Sequence, residues 1–157
     1  MEIVKNKIWK VMPKDIKNGT IDIPYGIEAI ASDAFLMNYN LEKIEIPNSV
    51  LSIGTGAFQE CKNLKTVVFH QRTQQIYLHP GVFKNSGIEM IEFPNEFLYR
   101  LSTDLFKNCC GLTELHIPSS VNKLNLYSFN GCIFLDKIHW KGKIYSYNDL
   151  FVYKTIY

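Results

Sequence analysis

The sequence predicts a repeat solenoid, a right-handed coil of short parallel strands and tight turns with about five to six coils of ~23 residues each. Three observations carry that expectation. The stretch "IPNSVLSIGTGAFQECKNL" (Ile46 to Leu64) returns as "IPSSVNKLNLYSFNGCIFL" (Ile117 to Leu135), with the spacing kept and the filler changed. Phe35, Phe58, Phe83, Phe106 and Phe129 follow one another at separations of 23, 25, 23 and 23 residues. Between them, segments such as "LEKIEI" alternate apolar and polar residues with the period of two that belongs to a strand.

Further columns keep step with the phenylalanines. Leu41, Leu64, Leu112 and Leu135 each follow their Phe by six residues, and Ile88 follows Phe83 by five. Three after the Phe come Asn38, Cys61, Ser86, Cys109 and Cys132. Ile23-Pro24, Ile46-Pro47, Phe93-Pro94 and Ile117-Pro118 mark the end of each strand, since proline cannot donate to a ladder; Phe69-His70 and Trp140-Lys141 are degenerate copies. Three residues past each Pro lie Ile27, Val50, Phe97 and Val121, read as one inward-facing column of a second short extended piece.

Each element follows from these columns. In "LEKIEI", Ile44 and Ile46 face inward while Lys43 and Glu45 face out. "SVLSIGTG" supplies the second piece, with Val50 and Ile53 inward. "GAFQEC" is too short for a stable helix and predicts one 3-10-like turn that drops Phe58 between successive coils. The unit "VVFHQRTQQIYLHPGVF" lacks the Pro and the following Val and runs two residues long, which predicts a displaced loop at 71–80 and no break in the coil.

Terminal coils need caps over their apolar faces and strand edges. Residues 1–20 read as an N-terminal β cap, two extended stretches joined by a turn at Lys17-Asn18-Gly19, with the repeats over 21–140. Residues 141–157 read as a C-terminal hairpin-helix cap, turning at Lys141-Gly142. Its helix is capped by Ser146 or Asn148, and Tyr145, Tyr147, Phe151 and Tyr153 cover the last coil.

At 157 residues the chain has room for a single domain with a real core. A net charge of +2 argues against nucleic acid as partner, and the five lysines of the first twenty residues are scattered singly. No run approaches the roughly 18 apolar residues of a membrane span. The start "MEIVKNKIWKVMPKD" places lysines where a signal peptide needs its apolar stretch. A cytoplasmic location is expected if that is the native start, and a surface or secreted one if a leader was removed.

The column L-x-x-I-x-I-P-x-S-V-x-x-I-x-x-x-A-F-x-x-C resembles the BspA-like leucine-rich-repeat family. "LEKIEIPNSVLSIGTGAFQEC" (Leu41 to Cys61) matches it at nearly every position, the likeness runs from about Ile21 to Trp140, and "WKGKIYSYNDL" is similar to the ending often seen after such arrays. The resemblance implies a β-dominated leucine-rich repeat and a binding surface. Its members are often surface proteins of host-associated bacteria and some protists, linked to adhesion and protein binding.

Chemistry-bearing residues read blandly beside this. Cys61, Cys109 and Cys132 share a column with Asn38 and Ser86, which fits a small buried slot that bonds turn backbone; Cys110 stands outside it. No paired C-x-x-C appears, so no zinc site of that kind is expected, and Cys109 with Cys132 is the one pair placed to oxidise. Of His70, His79, His116 and His139, the last two share a column and should lie side by side. No third metal ligand is evident, though Glu114 and Glu92 are near, and exposed polar residues on a binding sheet are the favoured reading. "SIGTG" lacks the Lys and the following helix of a phosphate loop. Asn18-Gly19-Thr20 is a glycosylation sequon, relevant only in a eukaryotic secretory cell. No catalytic, cofactor or metal residues are assigned.

The expected function is a non-enzymatic protein-binding module of bacterial type, monomeric, with no nucleic acid and no membrane insertion. A scaffold element for assembly is the runner-up, and a metal-bearing enzyme at His116 and His139 the weakest alternative. The partner face is read as two outward rows. One is Lys43, Thr66, Met90, Glu114 and Lys137; the other is Glu45, Val68, Glu92, His116 and His139, with Asp22 as an extension. Successive members are expected about 4.8 Å apart along both rows.

Overall fold

The computed structural model describes residues 1–94, 98 and 100–152, the last three by backbone alone. In chain order the strands are β1 (Glu2–Val4), β2 (Lys7–Lys10), β3 (Ala29–Ile30), β4 (Lys43–Ile46), β5 (Ser52–Ile53), β6 (Thr66–Phe69), β7 (Tyr77–Leu78), β8 (Met90–Glu92), β9 (Glu114–His116), β10 (Lys137–Trp140) and β11 (Lys143–Tyr145), followed by helix α1 (Tyr147–Val152). They stack as a β-solenoid of leucine-rich-repeat type. Each coil places one strand in a first face (β4, β6, β8, β9, β10), a second in another (β2, β3, β5, β7), and closes through a turn.

Alternation puts Ile44 and Ile46 of β4 inside and Lys43 and Glu45 outside. β4 pairs in parallel with β6, and β6 with β8, residue on residue: Lys43, Thr66 and Met90 are level, as are Glu45, Val68 and Glu92. Val50 and Ile53 of the second piece are fully buried. The phenylalanine column is the spine of the core: all five rings are fully buried, at centroid spacings of 4.6, 5.6, 5.7 and 6.2 Å from Phe35 to Phe129. Where aligned apolar side chains meet across coils, each coil covers its neighbour's face, which no coil can do alone.

The turns form a third ladder. The amide of each Phe donates to the carbonyl before the next one: Phe35 to Ala57, Phe58 to Val82, Phe83 to Leu105, Phe106 to Ser128, at 2.8 to 3.0 Å. Their backbone departs from the expected 3-10 geometry. Among the five Phe turns, a true 3-10 turn forms only at the last, Leu126–Phe129, where the Asn125 side chain caps the Tyr127 amide. The other four coils reverse direction with two left-handed residues that bracket the Phe: Asp33 and Met37, Gly56 and Glu60, Gly81 and Asn85, Asp104 and Asn108. Four of those eight are neither Gly nor Asn, so composition alone conceals the device.

The long third unit is displaced without a break in the coil, as expected, but over a shorter stretch than 71–80. Residues 71–76 leave the regular path, and β7 rejoins β5 in register, Tyr77 on Ser52 and Leu78 on Ile53. Arg72 explains how the unit manages without its Pro and Val. The side chain is buried, donates to the carbonyls of Val50 (2.7 Å) and Pro47 (3.3 Å), and lies over the Phe69 ring.

The fourth unit carries a shift that the phenylalanine spacing hides. Phe83 to Ile88 is one residue short, and Pro94 to Phe106 is one residue longer than Pro47 to Phe58, so the two changes cancel in the 23-residue count. Phe97, placed in the inward column, lies outside the described residues. Leu98, eight before Phe106 as Val50 is eight before Phe58, fills the corresponding core position with 1% exposure.

The N-terminal cap is built differently from expectation. A turn does close at Lys17 to Thr20, with mutual backbone bonds and left-handed Asn18 and Gly19. The hairpin, however, comes earlier: β1 pairs with β2 across left-handed Lys5 and Asn6. β2 then pairs in parallel with β3, Ile8 level with Ile30. At the other end β10 and β11 form the expected hairpin through Lys141 and Gly142, and Ser146 caps α1, its hydroxyl accepting from the Asp149 amide while Asp149 accepts from the Ser146 amide. Tyr145 and Tyr147 pack on the core edge. The Phe151 side chain and Tyr153 lie outside the described residues. Among the described residues no helix is long and apolar enough to cross a membrane.

Candidate functional site

All ten residues of the expected face point away from the core, because each occupies an outward position of a strand whose alternate residues are buried. They do not form one continuous surface. Strands β4, β6 and β8 make one sheet; β9, β10 and β11 make another; among the described residues no ladder joins β8 to β9. Lys43, Glu45, Thr66, Val68, Met90 and Glu92 therefore belong to one group, and Glu114, His116, Lys137 and His139 to a second. The expectation of unbroken rows is corrected here. Asp22 lies outside the strands, and β4 is flanked instead by the Gly19 carbonyl, which accepts from the Glu42 and Lys43 amides.

The split coincides with the shortened link between Phe83 and Ile88. Gly87 in that link sits so tightly on the preceding coil that a Cβ there would stand 2.0 Å from the Lys62 carbonyl oxygen. Strand β8 is thus held to β6, while β9 arrives after a link of normal length. The gap is a groove of about 810 Å³ floored by Phe69, Phe93 and Ile117 and rimmed by Met90, Glu114 and His116. Met90 is 48% exposed at its edge. A second groove, of about 1070 Å³, runs along the other face beside Tyr77, Leu101, Leu124 and Tyr127. Neither groove is legible in the sequence beyond the one-residue change in spacing.

On the first group, Glu45 accepts from Lys43 (2.8 Å) and approaches His70 (3.1 Å); those two bonds, Lys43 first, hold its carboxyl below the usual range. Beside this row Lys65 pairs with Glu89. Val68 and Met90 are the apolar members of the face.

The second group is a cluster. β9 and β10 pair in register, Glu114 level with Lys137 and His116 with His139. The two imidazoles stack at 4.0 Å between centroids and 9° between planes, side by side as expected. Glu114, two residues before His116, lies on the same side of β9 and meets both rings. His116 Nε2 hydrogen-bonds its Oε1 at 3.1 Å. His139 Nε2 stands 2.7 Å from the same oxygen but off the line a hydrogen bond needs, so this buried nitrogen has no hydrogen-bond partner among the described residues. Desolvation works to raise the Glu114 carboxyl, yet the hydrogen bond from His116 and the close approach of His139 outweigh it and hold the group below its usual range. The third donor that the sequence left unassigned is thus in contact with both histidines; Glu92 lines the groove beside them.

The cysteine column is structural in its geometry. Cys61 donates to the Phe35 carbonyl (3.0 Å), Cys109 to Phe83 (3.0 Å) and Cys132 to Phe106 (2.9 Å), each reaching back one coil. Asn38 reaches Val11 in the same way, and Ser86 bonds the Cys109 sulfur. Burial pushes the three thiols up, Cys61 and Cys132 to about 12 and Cys109 to about 11. All four cysteines are free, and Cys110 is exposed.

The profile of the BspA type leucine rich repeat region matches this chain in six copies, over residues 14–109 and 77–155. No curated protein matches. Among solved structures, a leucine rich cell surface protein of Faecalibacterium prausnitzii is 30% identical at a TM-score of 0.73, covering 85% of this chain and 35% of that one. A leucine-rich repeat protein of Eubacterium ventriosum is 25% identical at a TM-score of 0.68, covering 78% and 32%. The leucine rich repeat protein of T. pallidum shares the fold at 23% identity and a TM-score of 0.64, covering 77% and 58%. The chain therefore spans between 32% and 58% of the length of these three proteins. With the repeat columns, the coil geometry and the profile in agreement over most of its length, the chain belongs to the BspA-type leucine-rich-repeat family.

Proposed function

We propose that this chain is a non-enzymatic protein-binding module of bacterial type, which presents the outward residues of its first face to a protein ligand in adhesion or host interaction. The observation that carries the reading is the apolar pair Val68 and Met90 on the outer side of β6 and β8, Met90 lining the groove, with Lys43, Glu45, Glu92 and Glu114 around them. Such an arrangement, an apolar centre with a charged rim on a rigid scaffold, is the usual anatomy of a binding patch. Among the described residues the carboxylate and histidines of the second group touch one another and no nucleophile, which supports binding over catalysis. A surface location is the version that the name of the Faecalibacterium relative favours.

The test is capture from host and bacterial extracts on immobilised chain, wild type against the double variant Val68→Lys with Met90→Glu. A partner retained by the wild type and lost by the variant supports the reading. Equal capture by both sinks it. Light scattering on the purified chain addresses the assembly role: a mass that climbs with concentration favours a scaffold element over a monomeric binder.

A further inference from the structure

We propose that Glu114, His116 and His139 form a zinc site, with two imidazole nitrogens and one carboxylate oxygen as protein ligands. The donors of these three residues all lie within 4.8 Å of one another, and no other group of three metal-binding side chains gathers in this way among the described residues. The placement follows from the fold. In-register pairing of two parallel strands sets His116 beside His139, and the period of two sets Glu114 on the same side as His116.

Distances and chemistry agree. Zn–N and Zn–O bonds of about 2.0 to 2.2 Å in a tetrahedron separate neighbouring donor atoms by roughly 3.3 Å. Glu114 Oε1 already lies 3.1 Å from His116 Nε2 and 2.7 Å from His139 Nε2. Zinc requires an ionised carboxylate, which a glutamate supplies at neutral pH. Imidazole nitrogen suits zinc and its neighbours in the transition series; magnesium and calcium, which take oxygen ligands, fit this set poorly. Among the described residues the His139 nitrogen, which faces the cluster, has no hydrogen-bond partner, and a buried polar atom is ordinarily satisfied.

Two features set the strength of the site. The rings are stacked, so their nitrogen lone pairs run side by side, and one ring must turn for both to meet a single ion. His116, whose side chain is 71% exposed, has the room to do so. Lys137, level with Glu114 on the neighbouring strand, opposes a cation. The site is accordingly open and of modest affinity. Glu114 and His116 line the groove, where a donor from a bound protein can complete the coordination.

The experiment is calorimetric titration of zinc chloride into the untagged chain, previously stripped with a chelator. One ion per chain is expected. His116→Ala and His139→Ala should each weaken binding tenfold or more, Glu114→Gln should weaken it less, and His79→Ala should leave it unchanged. Melting temperatures without metal establish that the variants fold, and ring nitrogen resonances of His116 and His139 should shift on zinc addition. No saturable uptake, or uptake that survives His116→Ala with His139→Ala together, overturns the proposal. The titration needs no protein ligand, so its outcome stands apart from that of the capture experiment.

Discussion

The turn edge and the first strand face of this solenoid are built by the same five repeats, yet one is continuous and the other is cut. Along the turn edge, Phe rings stack, Phe amides bond the next coil, and side chains of the Cys column bond the previous one, from Phe35 through Phe129. Along the strand face, the ladder stops after β8 and resumes at β9. The difference lies in what each side depends on. The turn edge needs only the three residues from Phe to Cys or its substitute, a spacing that never varies here. The strand face also needs the link from Phe to the next Leu or Ile, and that link loses a residue once, before Ile88. A solenoid can keep its spine in register and still open its sheet, and the opening makes a groove where a regular copy would have had a flat ladder.

If the turn edge is what holds the two sheet segments together, the largest effect belongs to the residue that bridges them. Phe106 stacks on Phe83 before the split and on Phe129 after it, and meets Phe93 edge-on. Phe106→Ala removes a fully buried ring and should cost about 3 to 5 kcal/mol, read as a large drop in melting temperature. An unchanged melting temperature breaks the comparison at its root.

Arg72 tests the same idea within one segment. Its guanidinium serves carbonyls of the preceding coil only, so Arg72→Met should cost less, about 1 to 3 kcal/mol for the two acceptors left without it. Chemical denaturation is the measurement. A loss as large as that of Phe106→Ala would mean that the irregular loop, and not the phenylalanine spine, sets the stability of these coils.

Next in size is the thiol column. Cys61, Cys109 and Cys132 should resist alkylation in native buffer, because burial disfavours the reactive thiolate, while exposed Cys110 reacts. The same shifts couple stability to pH. The folded thiols hold their protons to about 11 or 12, whereas unfolded thiols release them near 9. Between those values the unfolded chain binds fewer protons, so this contribution is fully present below pH 9 and is lost as pH rises through 11 to 12. Rapid labelling of all three at neutral pH would contradict the geometry.

What could be read in advance follows the same division. The columns exposed which residues build the turn edge, because they recur at fixed spacing and their chemistry (Cys exchanged with Ser and Asn) is visible as substitution, but not the left-handed backbone of the turns. The inward columns were legible except in the fourth unit, where counting forward from Pro94 selects Phe97 and counting back from Phe106 selects Leu98, the buried residue. The hairpin at Lys5-Asn6 escaped notice because its left-handed pair contains no glycine. The Glu114–His116–His139 cluster was half legible: the register of β9 and β10 follows from the repeat, but a carboxylate turning to meet both rings is a choice of rotamer, which spacing does not encode.

The last prediction has the smallest effect on stability and separates the two sides by function. Val68 and Met90 stand on the outer side of β6 and β8, with the core covered beneath them by Val67 and Ile91. Val68→Lys with Met90→Glu therefore leaves no cavity and buries no charge, and should change stability by no more than about 0.5 kcal/mol per site. Met90 lines the groove and Val68 stands on the next strand, where a partner would have to cover both, so binding should fall below detection. Lys84 and Lys107 sit on the turn edge, and Lys84→Glu with Lys107→Glu should leave binding intact at a similarly small cost in stability. Capture of one partner by wild type and both double variants gives the readout. Loss in the turn-edge variant with retention in the strand-face variant would move the ligand to the continuous side of the molecule, and the groove would then be a by-product of a missing residue.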